Sequence, residues 1–283
     1  MTLNKIMLKI FIIGFYIREI AMRVIIKENK VVLSNWAANY VAYKINKFRP
    51  SKSKPFVLGL PTGSTPLGVY KELIKMFQKG KVSFANVVTF NMNEYIGLPA
   101  ENKQSYHYFM QENFFKHIDI KQSNVHLLNG MTKNYEKECA DYEKAMADVG
   151  GVNLFIGGVG QDGHIAYNEP FSSLKSRTRV KTLTKNTIKA NSRFFKSEED
   201  VPNRVLTVGV ETIMSADEVL ILATGKIKAE AIKNGIEGPL SHVWTISALQ
   251  QHPHGIILCD KEAASGLAPE TIAYFEEVEK DNF

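Results

Sequence analysis

The sequence has little cysteine: only Cys139 and Cys259 occur among its 283 residues. They lie far apart, each in an apolar context, so neither a disulfide framework nor a metal-binding pair is indicated. No other group of histidines and cysteines has the spacing of a zinc site, and "HPH" at His252–His254 is interpreted as a turn before a strand. This scarcity predicts a reducing, cytoplasmic compartment and no bound metal.

A hydrophobic run long enough to cross a membrane is also missing. The apolar stretch that ends at Tyr16 is well short of the roughly 20 residues that a transmembrane helix needs. Lys5 and Lys9 precede it as in a secretory signal, but no small-x-small cleavage site follows. A strand-like segment, "MRVII", begins at Met22. We therefore interpret residues 1–21 as an extension outside the fold and residues 22–283 as one domain, and we expect no membrane partner.

Acidic residues are absent between Phe171 and Ser197, where lysines and arginines recur among serines and threonines. The formal net charge is +6, and this interleaving favours specific anion contacts over a plain solvated surface. The segment from Glu262 to the C-terminus is acidic, so the basic character does not continue as it would on a nucleic-acid surface. These observations predict a small anionic ligand and no nucleic-acid partner.

Short β-branched runs alternate with amphipathic segments of helix length, which is typical of a parallel sheet flanked by helices. The sequence therefore predicts an α/β fold with a Rossmann-like, open, mostly parallel sheet in a single domain. The predicted strands are Val24–Ile26, Phe56–Leu60, Val87–Met92, Val152–Gly157, Val205–Val208, Val219–Ala223 and Ile256–Cys259. The predicted helices are Ser34–Phe48, Pro66–Gln78, Ser105–Phe115, Tyr135–Val149, Ile227–Asn234 and Pro269–Glu279.

In such sheets ligands bind beyond the carboxyl ends of the strands. One segment in that position, "PTGSTP", offers backbone N–H groups and hydroxyls to a phosphate at Thr62, Gly63, Ser64 and Thr65. The same residues also fit a simple turn in which Thr65 caps a helix that begins at Pro66. No Gly-Lys-Ser/Thr follows, so a nucleotide P-loop is not supported.

A second glycine-rich segment, "GGVGQDGHIAYNEP", follows the strand predicted near residue 152. Gly158, Gly160 and Gly163 match the dinucleotide-binding spacing, but Pro170 interrupts soon afterwards and no helix of adequate length opens. We therefore expect no nicotinamide or flavin cofactor.

The same segment brings Asp162, His164 and Glu169 within eight residues. A carboxylate that orients an imidazole is a standard arrangement for moving protons near neutral pH. This trio beside a phosphate-type loop predicts acid–base catalysis on a phosphorylated substrate.

Longer blocks of the sequence resemble the glucosamine-6-phosphate deaminase family. The blocks are "FVLGLPTGSTP", "VVTFNMNEYIGLP", "LFIGGVGQDGHIAYNEP", "SSLKSRTRVKTLT", "ANSRFF", "LTVGVETI" and "WTISALQ", and they run in order between Met22 and about Glu279. The resemblance implies a reaction without cofactor or metal, in which D-glucosamine 6-phosphate and water give D-fructose 6-phosphate and ammonia in amino-sugar catabolism.

The resemblance also implies roles for individual residues. His164 opens the sugar ring with Asp162 and Glu169 holding it, and Arg193 and Lys228 bind the phosphate with the Thr62–Thr65 loop. Lys226, two residues from Lys228, is the competing match for the lysine. Allosteric members of the family are hexamers that bind N-acetylglucosamine 6-phosphate between subunits. The residues that match this second site are Ser172, Arg179, Lys181, Thr182 and Tyr274.

One position departs from the family pattern. The family motif reads Asn-Met-Asp-Glu-Tyr, and its Asp moves the proton between C2 and C1, but here that position is Asn93. An amide can hydrogen-bond but has no accessible protonation state for shuttling. The neighbouring Glu94 is expected to point away from the substrate, because adjacent side chains of a strand face opposite ways.

Three functions remain open at this point. The first is a deaminase whose rate is attenuated by Asn93, and the second is a catalytically silent sensor of sugar phosphates. The third is a hydrolase of the 6-phosphogluconolactonase type, against which the "NMNEY" and "NSRFF" blocks argue.

Overall fold

The computed structural model of the chain describes residues 22–280 and residue 282. The extension inferred for residues 1–21 lies outside the described residues. The strands are β1 Arg23–Lys27, β2 Phe56–Leu60, β3 Val87–Asn91, β4 Asn93–Tyr95, β5 Val125–His126, β6 Leu154–Gly158, β7 Arg179–Thr182, β8 Arg204–Thr207, β9 Val219–Ala223 and β10 Gly255–Asp260. Seven of them form one parallel sheet in the order β1-β10-β9-β6-β2-β3-β5.

Helices cover both faces of this sheet. They are α1 Lys30–Phe48, α2 Leu67–Gln78, α3 Tyr106–Asn113, α4 Tyr135–Asp148, α5 Lys185–Asn191, α6 Val210–Met214, α7 Ala229–Ile236, α8 Lys261–Ala264 and α9 Pro269–Val278. Two apolar cores result, with α1, α2 and α3 on one face and α4, α6, α7 and α8 on the other. Central strands such as β2 are buried along their whole length, which is why they read as continuous apolar runs. Among the described residues, no helix is both long and apolar enough to cross a membrane.

The predicted parallel α/β architecture is confirmed, and β2 and β9 have the predicted bounds. The helices are found with shifted ends. For example, α1 begins at Lys30 and not at Ser34, because the side chain of Asn29 accepts hydrogen bonds from the N–H groups of Val31 and Val32. Similarly, Ser105 is the cap of α3 and not its first residue.

The prediction that Val205–Val208 joins the parallel sheet was wrong. This segment contributes β8 to a separate antiparallel sheet in the order β4-β8-β7. β8 is buried from Val205 to Thr207, and Val205 belongs to a third, smaller apolar core. Its sequence is therefore as apolar as that of a strand in the parallel sheet. The strands β4, β5 and β7 and the short helices α5, α6 and α8 were not predicted, because such short segments show little periodicity.

Gly130 is needed where the chain passes behind β4. A Cβ atom at this position would lie 1.9 Å from the backbone oxygen of Tyr95. Gly158, at the end of β6, is a matched comparison, because a Cβ there meets nothing within 4 Å.

We expect Gly130→Ala to lower the free energy of unfolding by about 1–3 kcal/mol, because the backbone of β4 must move. Gly158→Ala should change it by less than about 0.5 kcal/mol. Urea denaturation of both variants measures the difference, and equal stabilities would contradict this account of the packing.

Candidate active site

A cavity of about 670 Å³ opens at the carboxyl ends of four neighbouring strands, β9, β6, β2 and β3. Loops that follow these strands supply much of its wall, as expected for ligand binding to an open parallel sheet. The predicted site residues that line it are Thr62, Gly63, Ser64, Thr65, Asn93, Asp162, His164, Arg193 and Lys228. Side chains that were predicted from segments far apart in the chain therefore lie together around one cavity.

The Thr62–Thr65 loop follows β2 and turns sharply at Gly63, whose φ of +105° suits glycine. The amino group of Lys30 donates a hydrogen bond to the backbone oxygen of Ser64 at 3.0 Å, which steadies the loop from α1. The predicted cap is wrong in detail: α2 begins at Leu67, and Pro66 occupies the capping position without a side-chain hydrogen bond. Hydroxyl groups of the loop are therefore not used as helix caps.

Two lysines, Lys226 and Lys228, are the candidates for the cation that meets a ligand. Lys228 lies in a 3₁₀ turn after β9 and lines the cavity, whereas Lys226 in the same turn does not. Burial and the nearby Arg193 lower the pKa of Lys228 to about 8, although Asp162 opposes this shift. The structure thus favours Lys228 over Lys226 as the cation that meets a ligand.

The carboxylates of Asp162 and Glu169 both lie near the imidazole ring of His164. The Nδ1 atom of His164 is 2.7 Å from Oδ1 of Asp162 and 3.7 Å from Oε2 of Glu169. The Asp162 carboxylate lies off the line of a good ring N–H hydrogen bond, so this contact is chiefly electrostatic. Burial raises the pKa of Asp162, but His164 outweighs burial and lowers it to about 2. At neutral pH Asp162 is therefore a fixed negative charge beside the imidazole.

Glu169 does not line the cavity but is buried behind His164. It accepts hydrogen bonds from the backbone N–H and the hydroxyl of Thr184, at 3.2 and 3.3 Å. The trio offers three candidate ligand atoms within 4.8 Å of one another, a geometry that suits proton transfer through His164 and is also compact enough for a cation.

Residues 93 and 94 face opposite ways, as predicted. Asn93 lines the cavity, whereas the carboxylate of Glu94 accepts hydrogen bonds from the backbone N–H groups of Tyr95, Tyr106 and His107 at 2.8–3.0 Å. The ring of His107 lies 2.9 Å from the same carboxylate. Glu94 is therefore committed to the start of α3 and cannot replace the missing carboxylate at residue 93.

A run of polar side chains leads from the sheet interior to the cavity. Thr89, Asn91 and Asn93 follow one another at every second position of the chain, and all three are buried. The Oδ1 atom of Asn93 has no hydrogen-bond partner among the described residues. The hydroxyl of Thr89 and both polar atoms of the Asn91 side chain are likewise unpartnered there. Since unpaired buried polar groups are costly, Asn93 keeps an acceptor available to a ligand.

Sequence reasoning missed a second group on the cavity wall: Tyr95, Tyr106, Tyr167 and Asn191. Their side chains are hydrogen-bonded to one another. Three of the four lie inside blocks already singled out, "NMNEY", "HIAYNEP" and "ANSRFF", yet an uncharged tyrosine or asparagine carries no chemical signal by itself.

The predicted second anion site is only partly assembled in this chain. Lys181 donates a hydrogen bond to the hydroxyl of Ser172 at 2.9 Å, and Arg179 lies on β7 with Lys181 and Thr182. Tyr274 lies on α9, where its ring packs edge-on against Phe275. Burial lowers the pKa of Lys181, with a further contribution from Arg179.

Comparison with known proteins places this site in context. A sequence model of the family described as glucosamine-6-phosphate isomerases/6-phosphogluconolactonase matches residues 28–256. A glucosamine-6-phosphate deaminase of Treponema denticola is 60% identical over 262 residues, 92% of this chain and 97% of its own length. One of Phocaeicola vulgatus is 59% identical over 262 residues and is covered completely.

Solved structures agree with the sequence comparisons. A structure described as a monomeric glucosamine-6-phosphate deaminase superposes with a TM-score of 0.84 at 41% identity, covering 87% of this chain and all of its own. The 6-phosphogluconolactonase of Thermotoga maritima superposes with a TM-score of 0.66 at 20% identity, covering 85% of this chain and all of its own, and so shares the fold.

The lowered pKa of Lys228 generates a pH prediction for anion binding. Below about pH 8 the amine is charged and attracts phosphate, and this attraction is lost as the pH rises through 8. We expect the Kd for inorganic phosphate, measured by calorimetry, to rise about fivefold between pH 8 and pH 9, because the charged fraction of the amine falls from about one half to about one tenth.

Lys228→Arg provides the matched test, because a guanidinium remains charged at these pH values and should remove most of the rise. Lys226→Arg should leave the pH dependence as it is. A pH dependence that is unchanged by Lys228→Arg would show that another group controls anion binding.

Proposed function

The chain belongs to the family of glucosamine-6-phosphate isomerases and 6-phosphogluconolactonases, and we propose that it is a glucosamine-6-phosphate deaminase. It acts on D-glucosamine 6-phosphate and water to give D-fructose 6-phosphate and ammonia. The observation that carries the proposal is that Lys228, Arg193 and the Thr62–Thr65 loop line the same cavity as Asp162 and His164, with Glu169 buried behind His164. The high identity to deaminases supports this reaction over lactone hydrolysis.

The reaction divides into three proton-handling stages: opening of the sugar ring, transfer of a proton from C2 to C1 through an enolamine, and hydrolysis of the imine at C2. His164 serves the first stage, with Asp162 fixing its charge environment and Glu169 lying behind it. The phosphate is held by Lys228, Arg193 and the loop Thr62–Thr65. We also propose that residues 22–283 are the catalytic domain. A cytoplasmic location is part of the proposal and is supported by the two buried, free cysteines.

Residue 93 limits the second stage. Asn93 faces the cavity, and its amide oxygen has no hydrogen-bond partner in the part of the chain that the structure describes, which supports ligand contact. An amide, however, does not exchange a proton as a carboxylate does. Glu94 is held by three backbone N–H groups on the other side of β4. We therefore propose an enzyme that binds and opens its substrate but deaminates it slowly.

We expect Asn93→Asp to increase kcat for ammonia release by about 10²–10⁴, the usual contribution of a general acid–base group. This corresponds to roughly 3–5.5 kcal/mol of activation free energy. The same change should lower thermal stability, because it places a carboxylate at a residue of which only 8% is exposed. Steady-state assays and thermal unfolding measure the two effects.

Asn186→Asp is a matched control, since it adds a carboxylate to the cavity wall at an exposed position on α5. It should not raise kcat. Equal rates for the parent chain and Asn93→Asp would refute attenuation at residue 93. A restored rate that is lost on dialysis against EDTA would assign the trio to a cation instead of to proton transfer.

Asn93 also keeps a second function open, that of a sensor of sugar phosphates. A sensor binds glucosamine 6-phosphate without converting it, so it is stabilised against heat while no ammonia forms. Absence of ammonia release from both the parent chain and Asn93→Asp, with stabilisation retained, would favour the sensor.

We further propose that N-acetylglucosamine 6-phosphate binds at a second site formed by Ser172, Arg179, Lys181 and Thr182, with Tyr274 from a neighbouring subunit of a hexamer. The Ser172–Lys181 hydrogen bond and the partly buried Arg179 support a preformed anion site. A relative described as monomeric makes assembly the decisive measurement. A chain that sediments as a monomer with and without this ligand would exclude the shared site.

A further inference from the structure

Three tyrosine hydroxyl groups meet on the cavity wall, and we refer to Tyr95, Tyr106 and Tyr167 as the tyrosine cluster. The hydroxyl oxygens of Tyr95 and Tyr167 are 3.3 Å apart, and the hydroxyls of Tyr106 and Tyr167 are directly hydrogen-bonded. Tyr95 belongs to β4, Tyr106 begins α3, and Tyr167 follows His164 in the glycine-rich loop. The cluster is therefore held by three separate elements of the fold.

Asn191, the last residue of α5, ties another segment to this cluster. Its side-chain amide donates hydrogen bonds to the hydroxyl oxygens of Tyr95 at 2.9 Å and Tyr167 at 3.0 Å. Both hydrogen bonds are directional, and they fix the end of α5 relative to a buried surface. Burial raises the pKa of each tyrosine in the cluster, so the acceptors stay neutral throughout the physiological range.

Arg193 follows Asn191 by two residues, in the 3₁₀ turn Ser192–Phe194. Within the described chain its guanidinium makes no ion pair or hydrogen bond, and its closest ring contact is Phe194, with the centroid 4.7 Å away. Its reach over the cavity is thus set by the backbone of this turn and not by a partner of its own.

The other anchors of the segment do not fix this end. Thr184, the cap of α5, is bound to Glu169 at the opposite end of the helix. Phe195 packs edge-on against Tyr95 with ring centroids 5.6 Å apart, an apolar contact that tolerates sliding. Asn191 is consequently the directional link between the Arg193 turn and the cavity wall.

We propose that Asn191 is a positioning residue for anion binding: its two hydrogen bonds to Tyr95 and Tyr167 hold Arg193 where it meets the phosphate of the bound sugar. This inference rests on the proposed phosphate-binding role of Arg193. It assigns Asn191 a function in affinity, separate from the proton transfers at His164 and residue 93.

A double-mutant cycle tests the inference through binding alone, so it does not depend on the rate of deamination. The Kd values for inorganic phosphate and for fructose 6-phosphate are measured by calorimetry for the parent chain, Asn191→Leu, Arg193→Ala and the double variant. We expect Asn191→Leu to raise both Kd values roughly tenfold in the parent background. In the Arg193→Ala background it should raise them less than twofold, because the side chain that Asn191 positions is already gone.

Ser192→Ala is the matched control, since it removes a hydrogen bond to the backbone oxygen of Lys189 without touching the tyrosine cluster. It should change Kd less than twofold. Tyr95→Phe removes one acceptor of Asn191 and replaces Asn191→Leu in the cycle if that variant does not fold.

Equal losses of affinity with and without Arg193, or an unchanged Kd in Asn191→Leu, would overturn the inference. A parent chain that binds neither phosphate nor fructose 6-phosphate would overturn both it and the proposed function. Binding that follows the expected cycle while Asn93→Asp releases no ammonia would leave the inference standing and reject only the deaminase.

Discussion

The hydrogen bonding of Glu94 is the constraint on which the site depends. Its carboxylate accepts hydrogen bonds from the backbone N–H group of Tyr95 and from those of Tyr106 and His107 at the start of α3. It also contacts the ring of His107, and only 1% of the residue is exposed. Hydrogen bonds to a buried charge of this kind are each worth about 1.5–3 kcal/mol. They fix the pleat of β4, and the pleat in turn directs Asn93 and Tyr95 into the cavity.

This constraint links the parts of the site that perform different tasks. Asn93 lines the cavity, where we propose that the chemistry at C2 takes place. Tyr95 carries one of the two hydroxyls that accept hydrogen bonds from Asn191. The hydroxyl of Tyr167 accepts the second hydrogen bond from the Asn191 amide, and Tyr167 lies between His164 and Glu169 in the sequence. A shift of β4 would therefore disturb both the proposed proton transfer at residue 93 and the proposed phosphate binding by Arg193.

Much of the fold and the charged part of the site could be predicted from the sequence. Continuous apolar runs such as Phe56–Leu60 identify central parallel strands, and the carboxyl-end rule then places Thr62, Asn93 and His164 together. The antiparallel sheet was missed because β8 is as apolar as a central strand. Pairing of β4 with β8 depends on contacts across more than a hundred residues, which local periodicity does not encode.

The tyrosine cluster was missed for a different physical reason. A hydroxyl or amide becomes informative only through its partner, and the partners of Asn191 come from β4 and from the glycine-rich loop. Asp162 and His164, by contrast, carry titratable groups whose spacing predicts acid–base chemistry, whereas Lys228 is predicted only through the family resemblance. Lys228 was separated from Lys226 only by its place on the cavity wall.

Stability and catalysis make opposite demands at residue 93. The residue is 8% exposed and its Oδ1 atom has no donor among the described residues, so an amide is tolerated there more easily than a charged carboxylate. The same burial would raise the pKa of an aspartic acid at this position, which brings a general base closer to neutral pH and improves its ability to exchange a proton. The environment that would penalise a carboxylate is thus the one that would make it an effective base. In the function that we propose, Asn93 avoids the penalty but gives up the proton transfer.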